Sequence, residues 1–392
     1  MPAILDPAPS NRGRTGAPGT SRRRLLGAAG AAAAGLATGC SAVGARRRDV
    51  HPRPLSRQPF VAPRVSADRV VRVIVGHRPY RPSGFVVRRE VDGPRTLIHN
   101  YGHGGGGITL AWGSSALAVR EARGLPPGRA AVAGGGIMGL TTARLLQDAG
   151  WQVTIYTRDM LRHTTSNVGG GQWAPTSVFE EDAATPGFLA QFRAAARISH
   201  HAYQNLGPGY GVRFIENYYL GAEPLEAPWY LRELPELFTS VAELPAGSHP
   251  FPVPWVRRVV SMIVEPAIFL RRVRDDFLRA GGRFEIRDFA SRDELLAVTE
   301  PVIFNCTGLG ARALFDDTEL EPAKGQLVFL PPDPVVDFIT VGGGTGVSYM
   351  FPRSGEIVLG GSFQRGDWSR HAEPAVTERI LADHRALFAG FS

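Results

Sequence analysis

The sequence predicts an α/β protein built on a parallel sheet that receives a dinucleotide, and three observations carry that prediction. A short apolar run, Ala130 to Ala133, enters a glycine turn of the form G-x-G-x-x-G at Gly134, Gly136 and Gly139. Ile137 and Met138 then open a stretch in which Leu140, Ala143, Leu146 and Ala149 keep helical spacing, with Gly150 where a helix would end. Val153 to Tyr156 alternates as a strand and runs into Arg158 and Asp159, placing an acid about 20 residues past the last glycine.

The glycines have separate tasks. Gly134 permits the tight turn, Gly136 lets backbone amides approach a pyrophosphate, and Gly139 lets the helix pack close to the strand. The helix N-terminus presents the positive end of its dipole to the phosphates. The plain alternative is a βαβ unit with a glycine-rich turn and no ligand; the acid and both strands weigh against it.

At 392 residues the chain is long enough for two interleaved domains. Its formal net charge is +8, and Lys324 is its only lysine. Much of the excess lies before residue 60, at Arg12, Arg14, Arg22 to Arg24, Arg46 to Arg48, Arg53 and Arg57. The rest is nearer neutral, so the basic balance does not read as nucleic-acid binding.

Residues 1–45 read as an address. Ser21-Arg22-Arg23-Arg24-Leu25-Leu26 precedes a mild apolar segment, Gly27 to Ala37, that is too short and alanine-rich for a membrane span. Paired arginines before such a segment resemble a twin-arginine export signal, which implies the twin-arginine machinery as a partner and a periplasmic or extracytoplasmic location. A disordered basic tail is the alternative. Leu36 to Cys40 resembles a lipoprotein cleavage box, with Ala37 a poor fit, so a lipid anchor at Cys40 and cleavage without lipid both stay open. Cys306 is the other cysteine, and its apolar context offers neither a disulfide partner nor a metal site.

Residues 46–65 read as a Pro- and Arg-rich linker. Asp68 to Pro82 reads as a strand ending at a proline-punctuated turn, strands are expected at Phe85 to Glu90 and Thr96 to His99, and a glycine block, Gly102 to Gly107, and a helix over Ala116 to Ala122 follow.

Gly76-His77-Arg78-Pro79-Tyr80-Arg81-Pro82 and the His99-to-Gly113 run resemble the flavin-capping end of D-amino-acid oxidases. The nucleotide turn, Tyr156 to Asp159 and Thr164 to Pro175 are similar to a second block of that family. Asn305 to Gly308, Lys324 to Gln326 and Gly360 to Trp368 are similar to a third. In that family the first block is the C-terminal end; here it precedes the nucleotide turn, the order expected of a circular permutation. Leu125-Pro126-Pro127-Gly128 would close the old termini, and the new ends should be neighbours.

The resemblance implies an FAD-binding Rossmann-like domain with a parallel sheet plus an α+β substrate domain with a mixed or antiparallel sheet. The expected layout is a flavin-capping segment at 66–128, FAD-binding parts at 129–200 and 291–315, and substrate-domain parts at 201–290 and 316–392. It implies noncovalent FAD contacts from Gly104, Gly105, Gly107, Ile108 and Thr109, and from Gly134, Gly136, Ile137, Met138 and Gly139. Further contacts are expected from Arg158, Asp159, Thr164, Thr165, Ser166, Gly170, Gly171, Gln172, Phe289, Thr307 and Gly308. For several of these a bland role competes: Arg158 with Asp159 as a surface ion pair, the hydroxyls as a polar turn, the glycine block as a loop. His103 is expected to be a structural histidine held by backbone rather than a base.

Arg78 is expected to hold a substrate carboxylate through two parallel hydrogen bonds, with the neutral amine near the Gly105 carbonyl. By residue type alone it would be a surface arginine. The implied reaction is oxidative deamination of a D-amino acid, with hydride passing to the flavin and oxygen or another acceptor taking the electrons. The family's lid tyrosines are missing from the region expected to correspond, roughly 245–260, which holds His249, Phe251, Trp255, Arg257 and Arg258. Tyr218, Tyr219 and Tyr230 are candidates to supply hydroxyls instead. Arg257 and Arg258 are expected at the exposed surface; facing the pocket, they would favour an acidic substrate. A dehydrogenase using a respiratory acceptor and a non-catalytic flavin-binding protein remain as alternatives. An NAD enzyme leaves the first glycine block without a role.

Overall fold

The computed structural model describes residues 60–160, 164–238, 240–344 and 347–391. The twin-arginine segment, the Cys40 box and the linker up to residue 59 lie outside the described residues. Two sheets share the chain by turns. Strand β1 (Arg72–Tyr80) begins one sheet, and β2 (Val86–Asp92) and β3 (Arg95–Tyr101) pass to the other. Helix α1 (Gly107–Glu121) leads into β4 (Arg129–Ala133), α2 (Ile137–Asp148) and β5 (Gln152–Thr157), the βαβ unit read from the sequence. After α3 (Thr165–Val168) and α4 (Pro186–Leu206), the chain returns to the first sheet with β6 (Val212–Gly221), α5 (Trp229–Glu233), β7 (Val241–Leu244) and β8 (Trp255–Val264).

Next come α6 (Pro266–Arg279), β9 (Arg283–Ile286), α7 (Arg292–Leu296), β10 (Val302–Asn305) and α8 (Gly310–Phe315). Strands β11 (Glu321–Leu330), β12 (Phe338–Gly342), β13 (Tyr349–Pro352), β14 (Ile357–Gly360) and β15 (Gln364–Arg365) complete the first sheet, and α9 (Pro374–Phe388) packs on it.

The six-stranded sheet has the order β2-β3-β10-β4-β5-β9, parallel except for the β2 edge. The nine-stranded sheet runs β1-β11-β14-β13-β12-β6-β8-β7, with β15 beside β11, and is antiparallel except where β12 meets β6. This is the α/β class the sequence predicts, a parallel sheet with a mixed second one.

Local chemistry explains the main elements. Ala130 to Ala133 are buried, as befits a central parallel strand covered on both faces. Helix α4 starts at Pro186, after Thr185, whose hydroxyl accepts from the Phe188 amide at 3.1 Å. In α6, Phe269, Leu270, Val273 and Phe277 face inward while Arg271 and Arg272 face out. Gly150 has φ 87°, the left-handed conformation that ends α2 where the sequence placed its stop.

A buried seam of hydroxyls locks α1 and α2 against β3. The Asn100 amide donates to Ser115 Oγ at 3.2 Å and to Thr142 Oγ1 at 3.1 Å, and Ser115 Oγ lies 2.8 Å from Thr141 Oγ1. These partners fix the helices where an apolar seam would let them slide. In the other sheet, Lys324 on β11 is 1% exposed and donates to Asp367, Ser369 and Glu373, each at 2.8 Å. The buried ammonium thus has an acceptor for each of its three protons.

Three expected boundaries need correction. Phe60, Ala62 and Val65 are packed against the core rather than belonging to a linker, and the Phe60 ring lies 5.1 Å from Tyr218 and 6.2 Å from Phe391. Apolar burial there outweighs the Pro- and Arg-rich composition. Strand β9 pairs with β5, so the return to the parallel sheet begins before residue 291, and 201–290 is not wholly substrate domain. The segment at 66–128 is likewise divided, because β1 lies in the nine-stranded sheet.

Candidate active site

Strands β3, β10, β4 and β5 are parallel, so the segments following them gather at one sheet edge, where open α/β sheets bind ligands. After β4, Gly134 has φ 111°, and a Cβ there would overlap the Cys306 carbonyl oxygen at the end of β10. A Cβ on Gly139 would overlap the Gly134 carbonyl oxygen. Gly136 precedes α2 and gives it no side-chain cap; the Ile137 amide donates instead to Ser166 Oγ at 3.0 Å. The Gly135 amide donates to Thr157 Oγ1 at 3.1 Å, and that hydroxyl donates to the Asp159 carbonyl at 2.8 Å. The turn is therefore tied to the end of β5. The result is a helix N-terminus with no cap from its own N-cap residue, approached by backbone and small hydroxyls, which fits a phosphate group.

After β3, Gly104 to Gly106 form a 3-10 turn that enters α1 at Gly107, again without a side-chain cap. Gly105 is exposed, and its amide donates to the Ser177 carbonyl at 2.8 Å. A Cβ on Gly107 would lie 3.8 Å from Met138 Cε, and one on Gly169 would lie 2.8 Å from Ile108 Cδ1. Thr109 Oγ1 donates to the Ala174 carbonyl at 3.1 Å and lies 3.4 Å from the Gln172 carbonyl. The two glycine turns thus meet, with the segment from Thr164 to Gln172 between them. Thr164 and Thr165 lead into α3. Gly170 and Gly171 are wedged where a Cβ would overlap the Phe351 ring or the Val264 carbonyl oxygen. Both of those belong to the nine-stranded sheet.

From that second sheet, β1 contributes Arg78. Its Nη2 donates to the Tyr349 hydroxyl at 3.1 Å, while Nη1 is buried without a partner among the described residues. Gly325 on β11 lets the guanidinium lie against the strand, since a Cβ there would overlap it. The Phe363 ring centre is 5.8 Å from Arg78 Cζ. A buried, unpaired guanidinium N–H is costly, and a carboxylate is the group whose geometry relieves it.

Residues 129–392 match the family model described as FAD dependent oxidoreductase. The chain belongs to that family. It is 33% identical over 267 residues to a D-amino-acid oxidase of Streptomyces coelicolor, covering 66% of this chain and 78% of the relative. A D-amino-acid oxidase of Rubrobacter xylanophilus is 30% identical over 268 residues, covering 68% and 78%. In fold it is similar to the crystal structure of iminodiacetate oxidase from Chelativorans sp. BNC1, with TM-score 0.52, 16% identity and coverage of 67% and 79%.

FAD is the cofactor of this family, and the two helix entrances, with no cap from their own N-cap residues, suit a dinucleotide. Other expected contacts lie around the same edge. Arg158 and Asp159 pair with each other at 2.9 Å, both partly exposed. Phe289 packs 5.8 Å from Tyr156, with Arg287 above its ring. Thr307 Oγ1 donates to Asn305 Oδ1 at 2.7 Å, and Gly308 has φ 59°.

The structure revises several expectations. Burial pushes His103 down to about 3, which favours the neutral ring. Its ring stacks on Phe85 at 4.6 Å, and Nε2 has no partner among the described residues. Arg257 and Arg258 are buried rather than exposed. Arg257 pairs with Glu243 and donates to the Glu226 and Leu225 carbonyls at 2.9 and 2.7 Å; Arg258 pairs with Glu216 at 3.5 Å. In the supposed lid region, Phe251 packs against Phe60, Tyr218 and Phe338. Tyr349 on β13, which sequence reasoning missed, is the tyrosine that reaches Arg78, and no local signal in the sequence points to it.

Replacing Gly139 by Ala should force α2 away from β4 and weaken FAD binding at least about tenfold, the result of inserting bulk into a close-packed contact. Titration of apoprotein with FAD by fluorescence quenching, with circular dichroism to check folding, measures this. Unchanged affinity would show that the helix tolerates the displacement.

Proposed function

We propose that this FAD-dependent oxidoreductase oxidises D-amino acids. The observation that carries the reading is Arg78, whose Nη1 is buried and unpaired while Nη2 holds the Tyr349 hydroxyl. The relatives named D-amino-acid oxidase support the choice of substrate. In this reading Arg78 takes the substrate carboxylate as a forked pair and Tyr349 orients the guanidinium. The Gly105 carbonyl accepts from the neutral amine, so that carboxylate and amine together set the direction of the Cα–H bond. Amides opening α1 at Gly107, Ile108 and Thr109 stabilise negative charge arising at the cofactor edge. Gly134, Gly136, Ile137, Met138 and Gly139 take the pyrophosphate, with Thr164, Thr165 and Ser166 beside it. Arg158, Asp159, Phe289, Thr307 and Gly308 line the nucleotide end, and Gly104, Gly170, Gly171 and Gln172 border the ring.

When bound, FAD would supply the two-electron acceptor for the Cα hydride, with oxygen as the final acceptor giving hydrogen peroxide, and the imine product would hydrolyse in water to a 2-oxo acid and ammonia.

The segment order is proposed to be a circular permutation. The family match starts at residue 129, yet residues before it supply β1 to one sheet and β2 and β3 to the other. The contact of Phe60 with Phe391 supports neighbouring ends. Export by the twin-arginine route is proposed from Arg22 to Arg24, followed either by lipid attachment at Cys40 or by cleavage nearby without lipid.

Anaerobic mixing with D- and L-amino acids should bleach the flavin with D-isomers only, and admission of air should restore the colour with peroxide release. Bleaching by L-isomers alone would remove the proposed substrate class, and colour that returns only with an artificial acceptor would favour a dehydrogenase. Arg78→Ala should lower kcat/KM for amino acids about 30- to 1,000-fold, the range for leaving a buried charge unpaired, and affect simple amines far less. Equal losses on both would remove the anchor role. Moving residues 60–128 to follow residue 391 through a short linker should give a folded, FAD-binding protein; a variant that cannot fold counts against permutation. Replacing Arg22 to Arg24 by Lys should retain the protein in the cytoplasm, and unchanged export would exclude the twin-arginine route.

A further inference from the structure

One face of the nine-stranded sheet carries more than the carboxylate grip. Tyr349 lies opposite Val341, and Val341 lies opposite Tyr219, so these residues form a row on one face. Two strand spacings separate the ends of that row, roughly 10 Å. Between them lies a continuous apolar floor in which Tyr349, Phe351, Ile215 and Val341 share one cluster. At the far end stands a polar wall whose hydrogen bonds are ordered in one direction.

Asn217 sets that direction. Its Nδ2 donates to the Ile215 and Val259 carbonyls at 3.0 and 3.2 Å, so its Oδ1 must point the other way. That oxygen accepts from Gln172 Nε2 at 2.8 Å, and the same Nε2 donates to the Tyr219 hydroxyl at 3.1 Å. Both Gln172 amide protons are thereby used, and its Oε1 meets no donor among the described residues. The Tyr219 oxygen also accepts from the Tyr230 hydroxyl at 3.1 Å. With two bonds accepted, its own proton has no acceptor among the described residues. Burial holds both tyrosines above their ordinary pKa, so they remain neutral donors. The wall therefore offers one acceptor, Gln172 Oε1, and one donor, the Tyr219 O–H. It offers no free cation, because Arg257, opposite Tyr219, is already held by Glu243 and two carbonyls.

The geometry points to a side-chain subsite for neutral amides, in which Gln172 and Tyr219 select D-amino acids bearing a carboxamide over apolar or acidic ones of similar size. A carboxamide has one donor group and one acceptor, the complement of this wall. An isosteric branched alkyl leaves both wall groups unpaired, and a carboxylate meets Gln172 Oε1 with repulsion. Donor and acceptor at the wall trace back to the backbone carbonyls that fix Asn217.

This inference rests on the proposed carboxylate anchor, and its test is kept apart from turnover. Calorimetric titration of the FAD-loaded protein with succinamate, 4-methylpentanoate and succinate compares an amide, its alkyl isostere and its acid, none of which carries an amine to be oxidised. Succinamate should bind about tenfold or more tightly than either of the others, and Tyr219→Phe or Gln172→Leu should bring its advantage over 4-methylpentanoate below about twofold. Equal or tighter binding of 4-methylpentanoate by the parent protein overturns the subsite, without need of any variant. A protein bleached by D-leucine as readily as by D-asparagine keeps the oxidase reading and loses this inference. One that selects succinamate but is bleached by no D-amino acid keeps the subsite and loses the oxidase reading.

Discussion

Close approach of backbone to backbone is the constraint on which this molecule depends. At Gly134, Gly139 and Gly171 the space a Cβ would need is taken by a carbonyl oxygen from another segment or the preceding turn. Each such contact excludes side-chain bulk, and at two nearby helix entrances the N-cap residue itself gives no side-chain cap. These positions are rigid because their neighbours are main chain, which cannot swing aside as a side chain can.

The second consequence is architectural. The chain crosses repeatedly between a parallel sheet that positions helix N-termini and a mixed sheet that positions side chains. Arg78 and Tyr349 are 271 residues apart in sequence but meet on one sheet face. Gln172 reaches from the cofactor edge to Asn217 and Tyr219 on that same face. The segment from Gly169 to Gln172 joins the two parts, since it touches α1 on one side and β8 and β13 of the mixed sheet on the other.

What could be read from the sequence follows from the range of each signal. The unit β4–α2–β5 was legible because its periodicities and its glycines are local, and the end of α2 fell beside Gly150 as expected. Arg78 could be singled out only through its Gly-His-Arg-Pro setting, since an arginine's burial depends on strands far away in the chain. Tyr349 was not legible, because nothing within β13 shows which strand lies three places across the sheet. Arg257 and Arg258 were misjudged for the same reason. Their partners Glu243 and Glu216 come from β7 and β6, and residue type alone favours exposure. Residues 60–65 looked like linker because the aromatic cage around Phe60 is assembled from β6, β12 and the C-terminal end.

The burial of Lys324 gives the protein an unusual chemical handle. A lysine-specific endoprotease has one peptide bond to cut in the whole sequence, and it lies in β11, flanked by β1, β14 and β15. Cleavage at that bond requires the strand to leave the sheet, so the appearance of two fragments becomes a clock for the opening of the nine-stranded sheet.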